Sequence, residues 1–190
     1  MIALRLYLFL GLVLHKLVWE AMKRRRGPSG AARPSGAGFD RRLIKAVKVA
    51  VLLGIAAQTW MPDILPISAD AHGLRLAGVA VYTLGLLVAV AARVQLGRNW
   101  SDLEDAGVKP DQAVVSRGLY GYVRHPIYVA DVALLIGLEL SLNSWLVLPA
   151  LALAPMVLRR AVQEERMLMT ALPGYNAYCE RTKRFIPFVV

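Results

Sequence analysis

Cysteine is almost absent from this chain: Cys179 is the one example among 190 residues. A lone thiol excludes an internal disulfide and any cysteine-built metal cluster. Histidine is nearly as scarce, with three residues and no H-x-x-x-H or H-E-x-x-H spacing, so no metal site is expected. Charge is thin as well. Charged residues make up 19% of the chain against 57% hydrophobic ones, which excludes an ordinary soluble domain. No G-x-G-x-x-G follows an expected strand, so the soluble dinucleotide-binding turn is absent too.

What charge there is lies between long apolar runs, and it is unbalanced: 23 Lys+Arg against 13 Asp+Glu, formally +10. Such an excess could serve nucleic acid if it formed one face. Here the basic residues sit in short loops beside apolar segments, where they set topology and meet anionic lipid head groups. No nucleic-acid partner is expected, and membrane lipids are. The chain reads as an all-α, polytopic helical membrane protein of about five transmembrane helices with a C-terminal helical hairpin.

The first apolar segment covers residues 2–19. A signal peptide competes for it, because Arg5 precedes a short apolar core. No small-residue cleavage site follows, however, and Lys23-Arg24-Arg25-Arg26 resembles a stop-transfer flank, so a retained helix is expected. Residues 27–38 are rich in Gly, Pro, Ser and Ala and read as a loop. Further helices are expected at 43–61 and 73–96. Residues 1–96 thus form three N-terminal spans with a basic loop at 23–42, and residues 97–190 form a second, polar-faced region. There, two apolar runs at 127–142 and 145–158 are joined by Asn143-Ser144. Each is about 15 residues, or roughly 22 Å as helix, which suits a tight hairpin kinked at Pro149 or Pro155. An amphipathic helix at 159–172 and a short basic tail follow.

Loop charge orients the chain. The first loop carries Lys23, Arg24, Arg25, Arg26, Arg33, Arg41 and Arg42, whereas residues 62–72 have no Lys or Arg. The first loop is therefore expected in the cytoplasm, the N-terminus outside, and both 97–125 and the C-terminal tail on the cytoplasmic side.

That side holds the informative motifs. Gly118-Leu119-Tyr120 and Arg124-His125-Pro126-Ile127-Tyr128 precede the hairpin, and Glu164-Glu165 follow it. Gly174-Tyr175, Tyr178 and Ile186-Pro187 close the pattern. In order and spacing this resembles the isoprenylcysteine carboxyl methyltransferases and their phospholipid-methyltransferase relatives, over roughly the C-terminal half. One position departs: the family usually has Gly two residues after the last Tyr of R-H-P-x-Y, and here it is Ala130.

The resemblance implies S-adenosylmethionine as cofactor and a lipophilic acceptor reached from the bilayer. It implies a strand-like stretch Gln112-Ala113-Val114-Val115 along the cofactor, with further contacts from Tyr120, from His125, Pro126, Ile127 and Tyr128, and from Glu164. It makes Arg160 a substrate-carboxylate anchor, so Arg160 and Glu164 are the expected catalytic pair, one helical turn apart. The residue types suit the chemistry. A cationic or imidazole side chain suits the cofactor carboxylate, a glutamate suits its amine or ribose hydroxyls, and aromatic faces tolerate a sulfonium. Asp131 and Glu139 fall inside the hairpin and would be costly facing lipid. Asp131 is expected near the aqueous site and Glu139 near the far interface. Taken singly, each feature has a plainer reading: an interfacial histidine, an aromatic belt, or a solvated helix face with an i,i+4 ion pair. Two other functions stay open, an NADPH-dependent membrane reductase with a similar hairpin and a non-enzymatic membrane scaffold. The identity of the acceptor and the oligomeric state are open too.

Overall fold

The computed structural model describes residues 1–25, 38–61, 63–99 and 112–188. The helices are α1 (Ile2–Arg25), α2 (Gly38–Gln58), α3 (His72–Leu96), α4 (Pro126–Ser141), α5 (Val147–Ala152), α6 (Ala154–Ala171) and α7 (Tyr175–Arg181). Among the described residues there is no strand, so Gln112–Val115 is irregular backbone where a strand-like stretch was expected. It has no neighbouring strand to pair with; Ala113 N–H instead donates to Asn99 Oδ1 at 2.8 Å. Most of the basic loop expected at 23–42 lies outside the described residues. Its first residues extend α1 to Arg25, as good helix formers such as Lys and Arg allow.

Among the described residues, two helices, Ile2–Arg24 and His72–Leu96, are long and apolar enough to cross a membrane. Both leave large apolar side chains outward: Leu10, Leu14 and Leu17 on α1, and Leu76, Leu84, Leu87 and Val94 on α3.

The centre of the structure is the contact between α3 and α4. Small residues permit it. A Cβ added at Gly85 would sit 2.7 Å from Leu134 N and 3.0 Å from Ala130 O. One added at Gly137 would sit 2.6 Å from Tyr82 Cα and closer still to Tyr82 N. The two backbones therefore touch, as small residues allow between helices in lipid. Ala130, at the position where the resembling family has Gly, is fully packed; Gly85 on the opposite helix supplies the room. Gly137→Ala should destabilise the protein by roughly 1–3 kcal/mol through overpacking. Gly54→Ala on α2, where a Cβ meets nothing within 4 Å, is the matched control. Equal unfolding temperatures for the two variants in detergent would disprove backbone contact between α3 and α4.

Helix α1 packs on the same unit: Tyr82 donates its hydroxyl to Leu8 O at 2.7 Å, and Leu8, Tyr82, Leu86, Leu134, Leu138 and Leu142 share one apolar core. At the far end, buried Glu139 accepts from Gln58 Nε2 at 2.7 Å, which ties α4 to α2. Asn143, in the left-handed region at φ 56°, uses its whole amide. Its Nδ2 donates to Asp63 and to Ser68 O, and its Oδ1 accepts from the N–H groups of Ile67 and Ser68.

After that turn the helix is interrupted. Helix α5 ends at Ala152, Leu153 intervenes, and α6 begins with Pro155 in its first turn. Proline is tolerated there because its missing N–H would have had no helical partner. The break thus belongs to Pro155, while Pro149 lies within α5. Helix α6 is the amphipathic one, running to Ala171 before Pro173 and Gly174, whose φ of 81° suits glycine, turn the chain into α7. The C-terminal region is thus more structured than the short tail expected.

Candidate functional site

Polar and apolar walls meet in one cavity of about 510 Å³, bounded by α1, the end of α3, residues 112–120, α4, α6 and α7. That is the size of a small-molecule site. Of the residues expected to act, Gln112, Ala113, Val114, Val115, Tyr120, His125, Ile127, Tyr128, Arg160 and Glu164 all line it. Pro126 does not. It is buried as the first residue of α4, where its fixed φ starts the helix.

The approach to α4 is built from turn chemistry. Gly118 at φ 61° turns the chain, and its missing Cβ leaves room for the Gln95 amide. Gln95 Oε1 then accepts from Leu119 N–H at 2.8 Å. Tyr120 is buried, and its carbonyl accepts from the Tyr178 hydroxyl at 2.8 Å. Burial pushes the Tyr178 phenol up to about 12 and the Tyr120 phenol higher still, so both stay neutral.

The adjacent glutamates have separate tasks. Neighbouring residues on a helix point about 100° apart. Glu164 faces the cavity and accepts from the Tyr128 hydroxyl at 2.7 Å. Arg160, the other residue expected to be catalytic, lines the same cavity one helical turn before Glu164. Glu165 points into the protein and is 3% exposed. Its Oε1 takes Arg124 Nε at 2.8 Å and His125 Nε2 at 3.0 Å, and its Oε2 takes Arg184 Nη2 at 2.8 Å. Burial alone would raise this carboxyl. The hydrogen bonds from His125, Arg184 and Arg124 outweigh it and hold the group far below the usual carboxylate range. Around this clamp the C-terminal segment pairs with the motif: Arg124 N–H donates to Lys183 O at 2.8 Å and His125 N–H to Arg184 O at 3.1 Å. His125 therefore reaches the cavity with Nε2 committed to Glu165 and its ring stacked on Tyr128, centroids 5.3 Å apart.

Sequence reasoning left several cavity residues without a role. Trp19, Asp131, Tyr175 and Tyr178 line the cavity, and Arg93 lies behind Asp131. Arg93, only 2% exposed on a membrane-length apolar helix, is the one a sequence signal could have found, since a charge in such a helix needs a partner.

Helices, apolar outer faces and a cavity that joins polar to apolar walls together define an all-helical integral membrane protein. The profile of the phospholipid methyltransferase family matches residues 74–173, just over half the chain, and the protein belongs to that family. The chain is 37% identical over 107 residues to the cobalt-zinc-cadmium resistance protein CzcN of Cupriavidus metallidurans, covering 55% of this chain and 48% of that one. It is 30% identical over 123 residues to the protein-S-isoprenylcysteine O-methyltransferase of Tribolium castaneum, covering 63% and 44%. The chain thus spans about half the length of these relatives. The fold resembles the solved structure of the eukaryotic intramembrane Ras methyltransferase, isoprenylcysteine carboxyl methyltransferase. That match has a TM-score of 0.61 at 24% identity, over 98% of this chain and 68% of that one.

Proposed function

We propose that the protein is a membrane methyltransferase that moves a methyl group from S-adenosylmethionine to a lipophilic acceptor. The observation that carries this reading is the gradient within one cavity. Gln112, Tyr120, Tyr128, Arg160 and Glu164 make one part polar, and Leu135, Leu153, Met156 and Val157 make another apolar. A polar donor and an apolar acceptor can therefore meet without either leaving its preferred surroundings. The family membership and the isoprenylcysteine methyltransferase relative support the same reading.

The donor set fits the cofactor. Glu164, oriented by Tyr128, would hold the amine or ribose hydroxyls, and residues 112–115 offer backbone groups to a base. Tyr120 and Ile127 would flank it. His125 donates Nε2–H to the Glu165 carboxylate, so Nδ1 of the neutral ring is an acceptor, which suits the cofactor's amine rather than the carboxylate expected for it. When bound, S-adenosylmethionine supplies an electrophilic methyl group. The chain's residues then need only hold the reactants in line and exclude water. Arg160 would anchor an acceptor carboxylate, and the acceptor class closest to this site is an isoprenylcysteine-like acid.

In the bilayer the reading places five embedded segments, with α4 and the α5–α6 unit as the two arms of a hairpin. The N-terminus lies outside and the cavity opens to the cytoplasm, as the loop charge suggests. Reaction of a cysteine placed at Ser35 with an impermeant reagent applied from outside would reverse that orientation.

The function is tested by unfolding the detergent-solubilised protein with S-adenosylhomocysteine, with NADPH and with buffer. S-adenosylhomocysteine at 100 times its dissociation constant should stabilise by about 2.7 kcal/mol, and NADPH should not. Stabilisation by NADPH alone would replace the methyltransferase by a reductase.

A further inference from the structure

Where α3 ends and α4 begins, the surface changes character. Leu96 closes α3, Gln95 Oε1 accepts from Leu119 N–H, and Pro126 opens α4. Residues 117–122 therefore lie level with the end of a membrane-length helix. Within a turn of that level, Val94 and Val129 still face outward. The C-terminal segment is laid along the same edge by its backbone. Lys183 N–H donates to Tyr122 O at 3.1 Å, Arg124 N–H to Lys183 O at 2.8 Å and His125 N–H to Arg184 O at 3.1 Å. Extended backbone sends successive side chains to opposite sides. Thr182, at φ −125° and ψ 154°, is buried, and Arg184 turns in to Glu165, while Lys183 between them is exposed.

Two features of this edge point to lipid. The first is apolar. Phe188 is 83% exposed, the highest value for a large hydrophobic side chain among the described residues, and its ring meets exposed Tyr122 edge-on with centroids 6.3 Å apart. Aromatic rings held at the end of a membrane-length helix suit the head-group layer. The second is charge. Arg117, Arg181 and Lys183 are exposed and make no ion pair among the described residues, whereas Arg124 and Arg184 are neutralised by Glu165. Residues 112–128 and 181–188 contain no Asp or Glu, and Glu180 is the nearest acid in the chain. Three unpaired cations beside two exposed rings complement an anionic surface and not a cationic or neutral one.

We propose that Arg117, Tyr122, Arg181, Lys183 and Phe188 form a docking surface for anionic phospholipid head groups, and that this contact holds the C-terminal segment on the motif. The two rings enter the head-group layer and the three cations meet lipid phosphates. Lys183 links the two events, because its side chain belongs to the surface and its backbone to the pairing with Tyr122 and Arg124. The array is complete only while the segment is paired, so lipid that binds the array favours the paired form. Arg184, the next residue, is thereby kept on Glu165. The inference stands on the membrane setting and does not depend on which reaction the cavity performs.

The test is amide hydrogen exchange of the full chain in nanodiscs of phosphatidylcholine, alone or with about 30% phosphatidylglycerol. The amides read are those of Arg124, His125 and Lys183, which join the two segments, with amides in the middle of α3 as the internal control. With phosphatidylglycerol present the joining amides should exchange at least about fivefold more slowly, the ~1 kcal/mol of one basic side chain at an anionic surface. That gain should vanish in about 1 M salt, where the screening length is about 3 Å. Lys183→Gln should bring the two lipid compositions to within about twofold of each other, whereas Arg24→Gln, an equal loss of charge at an exposed position on α1, should keep the full difference. Equal exchange in the two lipids overturns the proposal. So does a gain that survives salt or Lys183→Gln, one that Arg24→Gln removes as well, or one that the α3 amides share.

Discussion

Glu165→Gln should destabilise the protein by about 3–5 kcal/mol, because it leaves the Arg124 and Arg184 guanidiniums facing a neutral amide at a buried position. The side chain is 3% exposed, so solvent screening removes little of this effect. Arg184→Gln is the informative comparison. Arg184 is 30% exposed, and its loss leaves Glu165 with Arg124 and His125, so a cost of roughly 1.5–3 kcal/mol is expected. Reversible unfolding of the three proteins in one detergent reads the order directly. If Glu165→Gln costs no more than Arg184→Gln, the carboxylate is not the centre of the clamp.

The same group sets an acid limit. The folded Glu165 carboxyl is depressed below its ordinary value of 4.5. Its stabilisation is therefore complete above that value and is lost as pH falls through the folded one. Wild-type stability should decline in this acid range with a component that Glu165→Gln lacks. Equal acid slopes for the two proteins would assign the decline to other carboxylates.

A rate effect of similar weight is expected at Arg160. Arg160→Ala should lower kcat/KM for a carboxylate acceptor about 100-fold, equivalent to ~2.7 kcal/mol of lost charge-assisted contact. Its S-adenosylhomocysteine affinity should stay near the wild-type value. Glu164→Gln should do the reverse, weakening cofactor binding by about 1–3 kcal/mol with a smaller effect on a saturated turnover. The separation follows from one helix presenting both side chains to the cavity, with the Tyr128 hydroxyl bonded to Glu164. An ordinary exposed pair would instead change stability by less than about 1 kcal/mol and leave binding and rate untouched. Calorimetry and initial rates on the two single variants distinguish these cases, and normal behaviour in both would remove α6 from the proposed catalytic site.

Much of this was readable in the linear chain, for physical reasons that are local. Apolar runs interrupted by short basic loops determine helices in a membrane setting, because backbone groups in lipid must be satisfied within the segment. Residues 73–96 were expected as a helix and form α3, His72–Leu96, within one residue. Tyr128, Arg160 and Glu164 were expected together from motif order, and they line one cavity. Pairings between distant segments were another matter. The sequence alone could not separate Glu164 from Glu165, since the outcome depends on how α6 is rotated against α4 and on Arg184 returning from the C-terminal segment. It could not match Arg93 with Asp131, 38 positions apart, or bring His15 to the same carboxylate across 116. Local chemistry determined which segments are helical and which residues carry the polar groups of the motifs. Only the packing of α1, α3, α4 and α6 decided which charges are spent holding the structure and which remain facing the cavity, because burial and partner geometry are properties of the assembled helices and not of any one of them.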